Sequence, residues 1–156
     1  MHITRKTLYA LRAAYELARH RAGDPLKAAA IARSQAIPTR FLETILHELR
    51  QGGFVTSRRG SRGGYQLARE PAALTVGEVI GFIEGPDSVT CPADADPASA
   101  NGDGGLPPHD SDFVFQPLWQ QVDEAIAGVL GSTTFQDLLN WEEKRAQADQ
   151  PLDFVI

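Results

Sequence analysis

Three arginines and three glycines share one seven-residue stretch, Arg58-Arg59-Gly60-Ser61-Arg62-Gly63-Gly64. Guanidinium groups fork onto phosphate oxygens or onto the O6/N7 edge of guanine. A narrow minor groove attracts arginine through its enhanced negative potential. Glycine lets a backbone come close to such a surface. Some twenty residues earlier, Thr39, Arg40, Glu43, Thr44 and His47 recur at a spacing that puts them on the outer side of one helix. Threonine can bond bases or phosphates, arginine can grip guanine, and glutamate can accept from a cytosine amino group. Both stretches point to a polyanion with readable edges, which is duplex DNA.

No other chemistry assembles. His2, His20, His47 and His109 are scattered, with neither His-x-x-His nor Glu-x-x-His spacing, so no metal site is expected. The wing glycines do not lead into a helix as a phosphate-cradling loop would, there is no nucleophile elbow, and no enzyme is expected. Cys91 is the single cysteine and cannot form an intramolecular disulfide. Its readings are a vestige of a lost site, which is favoured, a redox-sensing thiol, an intersubunit disulfide, or, with Pro92 after it, a haem thiolate.

The charge is distributed to match. The net charge of the 156 residues is −5, but residues 1–70 hold 13 of the 15 basic and 5 of the 20 acidic residues, a local balance of +8 against −13 for the remainder. A basic front and an acidic back suit a chain with one face for a polyanion. No apolar run approaches a membrane span and no signal peptide is visible, so the expected location is the cytoplasm, with no membrane partner.

The elements that must hold these residues follow from periodicity. A helix is expected over 4–20, capped by Thr4, with Leu8, Leu11, Tyr15 and Ala18 as its apolar face. A short helix over 27–33 buries Ala28, Ile31 and Ala32. The next runs from Pro38, at the first helical position, to Gln51, with Leu42, Ile45, Leu46 and Leu49 inward and Gly52-Gly53 ending it. Strands over 54–58 and 65–68 flank the glycine-rich tip as a hairpin. Thr75-x-x-Glu78 is a capping box that opens a fourth helix, with Val76, Val79, Ile80 and Ile83 inward. The order is that of a winged helix-turn-helix: a mainly α fold with a β-hairpin wing and a C-terminal dimerisation helix.

Residues 86–111, rich in Pro, Asp, Gly, Ser and Ala, read as a flexible linker. Phe115, Trp119, Val122, Ile126 and Val129 then repeat at spacings of four and three, a heptad seam expected to be a dimer interface, on a helix ended by Gly131. Thr133-x-x-Gln136 is the expected cap of a last helix carrying Phe135, Leu138, Leu139 and Trp141. The expected organisation is a DNA-binding domain over 1–85, the linker over 86–111, dimerisation and C-terminal helices over 112–145, and a tail over 146–156.

The chain resembles the Rrf-two family of winged-helix transcription regulators. The matching stretches are Ile3-Thr4-Arg5-Lys6-x-x-Tyr9-Ala10-Leu11, Phe41-Leu42-Glu43-x-Ile45-Leu46-x-x-Leu49-Arg50-x-x-Gly53-Phe54-Val55, Ser57-x-Arg59-Gly60-x-x-Gly63-Gly64-Tyr65-x-Leu67-Ala68, and Val76-Gly77-Glu78-Val79-Ile80 with Glu84-Gly85, resuming at Leu118-Trp119 and from Thr134 to Leu139. The resemblance implies a homodimer held by the helix around Trp119 and bound to palindromic double-stranded operator DNA. It implies base contacts at Glu43 and Arg59 and places Lys6 and Tyr9 near phosphate. The expected DNA-binding set is Lys6, Tyr9, Thr39, Arg40, Glu43, Thr44, His47, Arg58, Arg59, Arg62, Gly63, Gly64 and Tyr65.

Cluster-binding members of that family carry three cysteines before the Leu-Trp pair. Here Cys91 matches the first, Phe113 stands roughly at the last, and Gln116 replaces a histidine seen in some members. A cluster wants about four ligands, mostly thiolates, so no cofactor is expected. Asp94, Asp96 and Asp103 surround Cys91 with negative charge, which disfavours its thiolate. The remaining sources of a switching signal are a small molecule, a regulatory protein, or slow oxidation of Cys91. The competing readings of the whole chain are a winged-helix protein adaptor and a thiol- or haem-responsive regulator.

Overall fold

The computed structural model describes residues 3–21, 23–60, 62–85 and 112–148. The order is α1 (Arg5–Arg19), α2 (Ala28–Ser34), α3 (Thr39–Gln51), β1 (Val55–Arg58), β2 (Gly64–Leu67), a 3-10 turn (Pro71–Ala73), α4 (Val76–Glu84), a second 3-10 turn (Asp112–Val114), α5 (Gln116–Ser132) and α6 (Phe135–Ala148). It is a mainly helical winged helix.

Helix α1 starts where the Thr4 hydroxyl accepts the Thr7 amide at 3.3 Å. Its buried face differs from the expected one. Thr7, Ala10, Ala13, Ala14, Glu16, Leu17 and Ala18 are buried, Leu11 and Tyr15 lie at the edge of the core, and Leu8 is exposed. The reason is crowding: α1 packs against α2, α3, α4, α6 and β2. Helix axes come together only over small side chains, so the alanines take the centre and the bulky residues the rim.

Helix α3 buries Leu42, Ile45, Leu46 and Leu49, as its periodicity requires. Pro38 is its N-cap rather than its first helical residue. The helix ends in a Schellman motif: Gly53 has φ 73°, its amide donates to the Arg50 carbonyl at 3.1 Å, and the Phe54 amide donates to the Leu49 carbonyl at 2.9 Å.

Strands β1 and β2 pair antiparallel, with Val55 opposite Leu67 and Arg58 opposite Gly64. Leu26 joins on the outer side, exchanging backbone bonds with Tyr65 at 3.0 and 2.8 Å. This explains two of the glycines better than an approach to phosphate does. A Cβ on Gly64 would sit 2.5 Å from the Leu26 carbonyl oxygen, and one on Gly63 would collide with the Arg58 carbonyl. Gly60, at φ 106°, turns the tip.

Helix α4 opens with the expected capping box: Thr75 N donates to Glu78 Oε2 at 2.8 Å, and Glu78 N to the Thr75 hydroxyl at 3.2 Å. The backbone then stitches the C-terminal helices to this domain. Val76 N donates to the Thr133 carbonyl at 2.9 Å, and Phe135 N to the Leu74 carbonyl at 3.0 Å. Gly77 is the close approach between α4 and α5, since a Cβ there would lie 3.0 Å from the Leu130 backbone. Phe135 is fully buried in the same core as Leu74 and Leu49.

The last cap falls one residue later than expected. Thr134 N donates to Asp137 Oδ2 at 2.9 Å, and Asp137 N to the Thr134 hydroxyl at 3.1 Å, while α5 runs past Gly131 to Ser132. Thr133 is otherwise engaged: its carbonyl receives Val76 N, and its hydroxyl donates to the Val129 carbonyl at 2.7 Å. The Thr134 hydroxyl, followed by the Thr134 amide, holds the Asp137 carboxyl below its usual range.

A carboxylate with a lowered folded pKa contributes stability above its unfolded pKa and loses it as pH falls through the folded value. Thr134→Ala should therefore cost roughly 1 kcal/mol in urea unfolding at pH 7, the usual worth of an N-cap hydroxyl. The deficit should shrink as the pH is lowered below about 4. Gln136→Ala should cost little at any pH; the reverse order of the two variants would restore the cap at Thr133.

Candidate nucleic-acid interface

Two elements of this fold present polar and cationic side chains to solvent with the core behind them. On α3, Thr39, Arg40, Glu43, Thr44, His47 and Arg50 are all exposed. The buried stripe faces the other way and fixes that face. On the wing, Arg58, Arg59 and Arg62 are exposed, Gly63 is buried under the tip, and Gly64 and Tyr65 are half-buried at its root. Tyr65 packs against the core, as Tyr9 does on α1.

Short contacts set the relation of these parts. Arg50 Nη1 donates to the Ser57 hydroxyl at 3.3 Å, and Arg50 Nη2 lies 3.3 Å from His47 Nδ1, so the end of α3 is bridged to β1. Lys6 Nζ lies 2.8 Å from a Glu48 carboxylate oxygen, which ties the first turn of α1 to the flank of α3. The Thr44 hydroxyl donates back to the Arg40 carbonyl at 3.4 Å.

The cations divide by use. Arg21 grips Glu70 and also donates to the Leu67 and Arg69 carbonyls, the latter at 2.8 Å. The guanidinium holds the Glu70 carboxyl below its ordinary range. Arg69 pairs with Glu78 at 2.8 Å and stands 5.5 Å over the Phe54 ring. Glu78 is lowered mainly by the Thr75 amide, with Arg69 adding to it. Arg19 bridges Glu16 and Glu142 at 3.4 and 3.3 Å. The side chains of Arg40, Arg58, Arg59 and Arg62 have no hydrogen-bonding or ion-pair partner among the described residues, as is also true of Arg5, Arg12 and Arg33 on α1 and α2. Exposed charges without partners on neighbouring elements are available to an anionic ligand.

Two residues of this surface were not in the expected set. Arg50 bridges α3 to the wing, and its spacing of three from His47 was the visible clue. Phe41 is exposed on the first turn of α3, one position off the buried stripe. The expected seam lies on α5, with Phe115 as its N-cap. Phe115 (49 %), Trp119 (39 %) and Val129 (64 %) are exposed, and Val122 and Ile126 are half-buried. Cys91, with Asp94, Asp96, Asp103 and His109, lies outside the described residues. Among the described residues, no three His, Cys, Asp or Glu side chains are grouped as metal ligands, and no helix is long and apolar enough to cross a membrane.

The family model Rrf2, described as "Iron-dependent Transcriptional regulator", matches residues 3–141. The HTH-type transcriptional regulator CymR of Bacillus subtilis is 33 % identical over 149 residues, covering 95 % of this chain and 96 % of that protein. The HTH-type transcriptional regulator IscR of Klebsiella pneumoniae is 32 % identical over 144 residues, covering 92 % and 82 %. Among solved structures, that of CymR, the global cysteine regulator of B. subtilis, superposes with a TM-score of 0.72 at 31 % identity, over 90 % of this chain and 98 % of that one. The structure of T. potens IscR gives a TM-score of 0.71 at 28 % identity, over 99 % and 95 %. A winged helix with an arginine-tipped hairpin and an exposed helix face, matched along nearly its whole length, is a DNA-binding transcription regulator of the Rrf2 family.

Proposed function

We propose that the chain works as a homodimeric repressor on palindromic operators, without an iron–sulfur cluster and without enzymatic activity. The observation that carries the reading is the grouping of exposed arginines, Arg40 on α3 and Arg58, Arg59 and Arg62 on the wing, beside the exposed polar face of α3. In this reading α3 enters the major groove by its first turns, and the wing arginines reach the adjoining minor groove. Arg40, Arg59 and Glu43 read base edges. Lys6, Tyr9, Thr39, Thr44, His47, Arg58 and Arg62 fix the protein on the sugar-phosphate backbone, with Gly63, Gly64 and Tyr65 shaping the wing. A dimer bound across a promoter excludes polymerase sterically, hence the assignment as a repressor. An operator is reached in the cytoplasm.

The dimer rests on α5. Leu118, at 50 % exposure, widens the seam of Phe115, Trp119 and Val129. Apolar residues continued over a 17-residue helix make a patch that a second copy can cover.

The cluster follows from the donor set. The family model is described as iron-dependent, yet this chain has one cysteine in 156 residues. A cluster held by about four mostly thiolate ligands does not fit it. The signal therefore comes from a small molecule, a regulatory protein or slow oxidation of Cys91.

Three measurements check this. Arg59→Ala should weaken binding to a selected operator by roughly 1–3 kcal/mol and relax its sequence preference, while wild-type affinity falls steeply with salt. Flat salt dependence and an unchanged mutant would favour a protein adaptor. Trp119→Asp should yield monomers by sedimentation velocity and lose operator binding, because each half-site needs its own head; an intact mutant dimer would move the interface off α5. Protein purified anaerobically should bind the operator with no iron or sulfide present. Stoichiometric iron and sulfide that vanish in Cys91→Ala would overturn the cluster-free reading.

A further inference from the structure

Phe41 is the only exposed large apolar side chain on α3, with 63 % of its surface open to solvent. It stands in the first turn, its amide donating to the Pro38 carbonyl at 3.0 Å. The ring is not among the buried side chains of the core cluster. Among the described residues it pairs with no other aromatic and lies under no cation, whereas Phe54 has both Phe82 and Arg69.

Its surroundings say what could use it. Arg40 precedes it, and Thr44 and Glu48 follow on the same flank at spacings of three and seven. Glu48 is held by Lys6 at 2.8 Å, so this flank is fixed against α1. The neighbouring side chains all seek polar partners, and a phenyl ring can offer none. The floor of the major groove displays acceptors, amino donors and one apolar group, the 5-methyl of thymine. The first turn of a recognition helix is the part that reaches that floor.

Resting on the reading of α3 as the groove-entering helix, we propose that Phe41 is a specificity-determining residue that reads one thymine in each half-site by packing its ring on the 5-methyl group. The contact favours thymine over cytosine at that position, where the polar side chains beside it act on other bases. Removing one methyl from such a contact should cost about fourfold in affinity.

The test uses the full chain and duplexes selected by it from a randomised pool. Each thymine of the selected operator is replaced in turn by deoxyuridine, which lacks only the methyl group, and affinity is read by fluorescence anisotropy. Wild type should lose about fourfold at one thymine in each half-site and far less elsewhere. Phe41→Ala should bind the unmodified operator as weakly as wild type binds the deoxyuridine one, with no further loss on the substitution. Its melting temperature and dimer mass should stay those of wild type, since most of the ring is exposed. Equal deoxyuridine losses in wild type and Phe41→Ala, or no loss in either, would overturn the assignment. So would dissociation of the Phe41→Ala dimer, which would place the ring at a subunit contact. In these cases Arg59→Ala would still weaken binding, leaving the regulator reading intact. Failure of the wild-type chain to select any duplex would overturn both.

Discussion

Ala10, Ala13 and Ala14 are fully buried on α1, and α2, α3, α4, α6 and β2 pack against the helix that carries them. A methyl group is the largest side chain this axis can hold where α3, α4 and α6 close on it. A larger residue would force the neighbours apart by more than rotamer changes absorb. The direction in which α3 points is thus set from behind, by the smallness of what lies beneath it. Two polar ties then fix its ends. Gln35, in the turn before α3, donates to the buried carboxylate of Glu16 at 2.6 Å, and Glu48, near the other end, takes Lys6.

The same helix explains how a chain of net charge −5 keeps a cationic face. Four acidic side chains are placed against arginines that hold the fold together: Glu70 on Arg21, Glu78 on Arg69, Glu16 and Glu142 on Arg19. Tyr15, raised to about 12 by burial and by its bond to Glu142, stays a neutral donor on that side. Arg40, Arg58, Arg59 and Arg62 are left exposed on α3 and the wing, with Glu43 among them.

How much of this could be read in advance depends on whether one residue's neighbours settle its role. Helix α3 could be read, because Leu42, Ile45, Leu46 and Leu49 are large and all on one side. The face of α1 could not, because alanine carries little apolar weight, and the packing of several elements on one helix is not written in its spacing. The last cap was read one residue early, at Thr133, because the bond from Val76 that occupies the Thr133 carbonyl is long-range and leaves no mark in local spacing. Arginine and glycine marked the wing, but two of the glycines answer to Leu26 and Arg58 of the chain itself. Phe41 was visible as an apolar residue beside the stripe, and only its exposure separates it from the core. Membership of a regulator family was legible from the Arg-Gly-x-x-Gly-Gly-Tyr run; which base each side chain meets is a property of the complex and not of one chain.

The backbone stitch between Leu74–Val76 and Thr133–Phe135, with the glycine approach at Gly77, makes a joint without a hinge. Helix α5 leaves it as a rod of 17 residues, about 25 Å long. In a dimer joined along that rod, each reading head rides on a lever arm. A tilt of about 5° at the seam swings the head by roughly 2 Å. Successive major grooves on one face of B-form DNA are about 34 Å apart and tolerate little error in phase. A signal received anywhere along α5 therefore need not touch α3 at all: a small change in how two rods cross is enough to put the heads in or out of step with the helical repeat.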